Sequence, residues 1–153
     1  MTQEIKISDL NGAPNLALGW ATSAIGVRDS DCTANYHFNA DIKSLVVSFN
    51  NTLDGEAFTS NTLNEILEFY KTIGEYEHIL FYSRNGRTRA ETLAYVFYMY
   101  KGASPGAAIY ELQSLAGDVV LDTSIIALAE KALNLGTKHS QFIRIWQTEK
   151  QTK

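Results

Sequence analysis

The segment that most restricts the fold is Ala90–Lys101 (AETLAYVFYMYK), which is apolar on nearly every side. A helix without a polar face has to be enclosed by other elements, so this one is expected in the middle of a packed unit. Just before it, His78–Tyr82 is too short for a buried helix and has the length of a central strand. Between the two lies the polar loop Ser83–Arg89. A buried strand, a polar loop and a buried helix therefore follow one another directly.

The flanking segments extend this alternation. Ile42–Phe49 is dominated by β-branched and aromatic residues and runs into Asn50-Asn51-Thr52, which predicts a buried strand followed by a turn. Leu63, Ile66, Leu67, Tyr70 and Ile73 recur at helical spacing behind the cap residues Thr59 and Ser60, with Gly74 as the stop. Downstream, Gly102 ends the apolar helix. Ser104-Pro105 opens another, with Ala108, Ile109, Leu112 and Leu115 as its stripe. A further helix is expected over Thr123–Asn134, capped by Asp122 or Thr123, and a last short one within Gln141–Lys153. The first forty residues show only turn signals, at Asn11–Pro14 and Arg28–Asp31, around the apolar piece Leu16–Ile25. The expected class is α/β, with a central, mostly parallel sheet flanked by helices.

The 153 residues, 45% of them hydrophobic, fit one domain over 1–153, with 1–40 its least defined part and 137–153 a C-terminal tail. Two prolines and no repeat leave nothing that marks a linker. The longest apolar runs fall short of the ~20 residues a membrane helix needs, so no membrane partner is expected. One cysteine, Cys32, and no secretory pattern suit the cytoplasm. His37, His78 and His139 lack zinc-ligand spacing, so neither metal nor other cofactor is expected. The net charge of −4 lowers a nucleic-acid reading of the arginines, and any anion site has to be local.

The loop supplies such a site. Gly86 lets the backbone bend and approach a ligand closely, successive N–H groups can turn inward as a nest, and the next helix adds its positive end. Arg84, Arg87 and Arg89 offer forks for phosphate oxygens.

Read in register, Tyr82-Ser83-Arg84-Asn85-Gly86-Arg87-Thr88-Arg89-Ala90 resembles the loop of cysteine-dependent tyrosine and dual-specificity phosphatases: His-Cys, two variable residues, Gly, two more, Arg, then Ser or Thr. Lys101-Gly102-Ala103-Ser104-Pro105 also looks like that family's turn and helix start, and the resemblance spans roughly Ile42–Leu133. It implies a phosphotyrosine phosphatase-like fold. It further implies a phosphate cradle of Ser83, Arg84, Asn85, Gly86, Arg87, Thr88 and Arg89, with Ser83 at the nucleophile position and Arg89 as the main phosphate ligand. The family's general acid would fall to Asp54, or to Glu56.

Ser83 stands where the family has its thiolate and Tyr82 where it has histidine. A serine hydroxyl stays protonated near neutral pH without a general base, so the loop is expected to bind a phosphorylated protein or small phosphoester without turning it over. Two other readings stay open. One is an active phosphomonoester hydrolase of tyrosine or dual-specificity type, whose cysteine is replaced by Ser83 in this chain. The other is a rhodanese-like domain.

Overall fold

The computed structural model describes residues 4–9, 11–28, 42–49, 58–84 and 87–151. Their elements are β1 (Glu4–Asp9), α1 (Ala13–Gly19), β2 (Ser23–Arg28), β3 (Lys43–Ser48), α2 (Ser60–Lys71), β4 (His78–Ser83), α3 (Arg89–Tyr100), α4 (Pro105–Ala116), α5 (Thr123–Leu133) and α6 (Lys138–Gln151). The four strands form one sheet in the order β1-β4-β2-β3, and every pairing is parallel. This is an α/β fold of the expected class.

Strand alternation divides the side chains of β4 between the two faces of the sheet. Ile79 and Phe81 join the larger core, built on α2 to α6, where Leu93, Val96 and Phe97 of α3 are fully buried. Leu80 and Tyr82 point the other way and pack with Ala13, Ala17, Ala21 and Ala24 beneath α1. The apolar-all-round helix is therefore enclosed as its sequence requires. Along α3 every residue from Arg89 to Met99 is buried.

Local chemistry explains most boundaries. Thr59 caps α2 through the Thr62 N–H at 3.2 Å, Ser104 caps α4 through Ala107, and Asp122 caps α5 through Ser124. Gly102 takes a φ of 90° after α3, a conformation in which a Cβ would be strained. Helix α2 stops at Lys71, short of Gly74, whose N–H instead donates to the Glu77 carboxylate.

The described residues among the first forty hold two strands and a helix that their sequence does not announce. The run Leu16–Ile25 spans the end of α1 and the start of β2. The C-terminal helix starts at Lys138, before Gln141, because a side chain from another helix caps it. The buried Glu130 carboxylate of α5 accepts the N–H groups of His139 at 2.7 Å and Ser140 at 3.1 Å.

Candidate functional site

The parallel register places Ser83, the last residue of β4, beside Asp9 of β1 and Val27 of β2, so the loop begins at the C-terminal edge of the sheet's interior. In open α/β sheets this edge is where ligands bind. Ser83 is fully buried, and its hydroxyl makes a long hydrogen bond of 3.4 Å to the Arg87 carbonyl. Among the described residues no carboxylate or imidazole hydrogen-bonds it.

At the other end of the loop, Thr88 sits at the helix N-cap position with φ 31°, in the positive-φ region that non-glycine residues rarely adopt. Its side chain makes no capping bond, while its carbonyl accepts the Thr92 N–H at 2.7 Å and so starts the helix. Strain of this kind is held by its surroundings and is typical of ligand-clamping turns. Arg89 follows at once, 3% exposed, and its Nη1 donates to the Phe49 carbonyl at 2.8 Å. Phe49 lies just beyond β3, so the side chain crosses the strand ends from the β4–α3 turn to the far side of β2. The site region thus holds a buried guanidinium beside the positive end of α3.

The three arginines lie in different settings. Arg84 is exposed on the loop. Arg87 is half-exposed and turns outward: Nη2 donates to the Asp118 carbonyl at 2.8 Å, and Nε lies 3.4 Å from the Glu91 carboxylate. Only Arg89 is buried. Asn85, Gly86, Asp54 and Glu56 fall outside the described residues, as do Cys32 and His37.

Glu91 and the packing of Gly26 against Tyr82 are not legible in the sequence. Glu91, in the first turn of α3, is fully buried. Its Oε2 accepts the Val120 N–H at 3.0 Å, and burial pushes its carboxyl above the ordinary value against the pull of Val120 and Arg87. Its only sequence signal was a lone acid at the start of an otherwise apolar helix. Tyr82, standing where the resemblance has histidine, lays its ring across Gly26 of β2. The absent side chain of Gly26 makes room for that ring, and no local pattern reveals the pairing. Among the described residues no group of three or more His, Cys, Asp or Glu is placed to hold a metal ion, and no helix is long and apolar enough to cross a membrane.

Neither a family model nor a curated protein matches the chain. Solved structures do. PTPMT1 in complex with PI(5)P superposes with a TM-score of 0.59 at 14% identity, over 94% of each chain. The human tyrosine phosphatase-like serine/threonine/tyrosine-interacting protein gives 0.60 at 12% identity, over 84% of this chain and 86% of its own. Human DUSP28 gives 0.56 at 16%, over 95% and 94%. The chain has a tyrosine and dual-specificity phosphatase fold. The match to this phosphatase fold also takes in residues upstream of Ile42, beyond the span that resembled the family in sequence, since it covers nearly the whole chain.

Proposed function

We propose that this phosphatase-like chain binds a phosphorylated protein or small phosphoester in the Ser83–Arg89 loop and holds it without hydrolysis. The observation that carries the reading is the buried Arg89 guanidinium, fixed across the strand ends at the start of α3 by the Phe49 carbonyl. Phe49 fixes the direction of this buried fork, and an anion at the helix end would be gripped by the same planar group. In this reading Ser83, Asn85, Gly86, Thr88 and Arg89 line the cradle, while Ser83 withholds the nucleophile. The resemblance to PTPMT1 in complex with PI(5)P and to a tyrosine phosphatase-like interacting protein is compatible with a phosphoester ligand.

Two variants test it. Arg89→Ala abolishes calorimetric binding of inorganic phosphate, and intact binding in that variant refutes the reading. Ser83→Cys, assayed with an aryl phosphate, reports whether the remaining machinery is complete. No turnover agrees with natural loss of catalysis, and vigorous turnover identifies an active phosphatase lacking only its thiol. If Asp54 serves as general acid, Asp54→Asn slows such turnover by roughly a hundredfold or more.

A further inference from the structure

A fully buried carboxylate has a large desolvation cost, so its partners indicate what it is for. Glu91 has partners on two sides, the Arg87 guanidinium from the loop and the Val120 N–H from the connection between α4 and α5. One residue further along α3, Thr92 Oγ1 accepts the Asp122 N–H at 3.0 Å. Arg87 reaches the same connection directly, at the Asp118 carbonyl. That connection is fastened to α6 in turn: Lys150 pairs with the Asp118 carboxylate at 2.5 Å and donates to the Val119 carbonyl, and Gln147 accepts the Leu121 N–H at 2.7 Å.

We propose that Glu91 is a positioning residue for the Ser83–Arg89 loop, holding Arg87 against the Asp118–Asp122 connection so that this arginine braces the loop from outside instead of gripping the anion. The inference rests on the loop's being the anion site. Because Glu91 is wholly enclosed, it acts through Arg87 and not on the ligand. The Ser83 hydroxyl contacts the Arg87 carbonyl, so a shift of Arg87 reaches the floor of the cradle. Arg87 therefore belongs to the support of the site, and Arg89 to its lining.

The two arrangements predict opposite signs. Gln at position 91 keeps an acceptor for Val120 but loses the charge that holds Arg87. If Arg87 is a brace, Glu91→Gln and Arg87→Ala each weaken phosphate binding several-fold, and the double variant is no weaker than either alone. If Arg87 is an anion ligand for which Glu91 competes, Glu91→Gln tightens binding and Arg87→Ala weakens it, which overturns the proposal. Additive losses overturn it as well. Failure of the unmodified protein to bind phosphate would refute the functional reading, and the brace would then be judged by stability alone. Denaturation midpoints across the same four proteins, with amide exchange at Val120, reveal coupling between positions 87 and 91. Absence of coupling contradicts the brace.

Discussion

The Arg89 guanidinium donates to the Phe49 carbonyl across 2.8 Å, tying the start of α3 to the end of β3. The planar fork can serve a backbone carbonyl with one nitrogen and an anion with others, whereas an ammonium cannot hold both in fixed directions. Arg89→Lys should therefore keep the charge yet lose about tenfold or more in phosphate affinity, roughly 1.4 kcal/mol by the usual conversion. Equal affinity in the two proteins, by calorimetry, would show that charge alone suffices.

Gly26 and Tyr82 face each other in the β2–β4 register, and a Cβ on Gly26 would lie 2.6 Å from the tyrosine hydroxyl and closer still to the ring. Gly26→Ala is expected to destabilise by about 1–3 kcal/mol through overpacking. In a Tyr82→Leu background the same change should cost far less, because the ring it strikes is gone. Urea midpoints of the four proteins give the coupling.

Glu91 gives the stability a definite pH dependence. Burial raises its carboxyl above the ordinary value; Asp118 adds to that, and the Val120 N–H, Arg87 and Lys150 oppose it. Between the ordinary and the raised value the native state binds more protons than the unfolded chain, so this contribution is lost as pH rises through the window. Glu91→Gln does not titrate. Thermal unfolding of both proteins between about pH 4 and 7 should show the native protein losing stability relative to the variant as pH rises. A constant difference would contradict this account.

His139 works in the opposite sense. Burial pushes its imidazole below the ordinary value, helped by Lys138 and opposed by Glu130, and Tyr95 hydrogen-bonds its Nδ1 at 2.6 Å. Its share of the stability is present above about pH 6.5 and declines as pH falls through the depressed value. Tyr95→Phe leaves a buried ring nitrogen without its hydroxyl partner and should cost about 1–3 kcal/mol in urea unfolding.

The middle of the chain was legible because its local patterns and its tertiary surroundings agree. Ile79–Tyr82 is buried on both faces and reads as unbroken apolar sequence, and Ala90–Met99 is buried on every side and reads as mostly apolar at helical length. The caps Thr59, Ser104 and Asp122 were visible because capping is local. Strand β1 was hidden by its position at the sheet edge, where Glu4, Lys6 and Asp9 break the apolar pattern. Strand β2 was hidden by its own packing. Its Ala24 and Gly26 are small because α1 and Tyr82 press on them, and small residues carry weak strand preference. At the candidate site, spacing singled out Arg89 and Ser83. The outward turn of Arg87 depends on Asp118 and Glu91, and the first of these lies 31 residues away in sequence.

The most direct test of the account is a titration of the isotope-labelled protein with inorganic phosphate or vanadate, followed by backbone amide shifts. Anion capture by the loop predicts saturable shifts concentrated at Ser83–Ala90 and absent in Arg89→Ala. Shifts centred elsewhere, or none at millimolar anion, would contradict it.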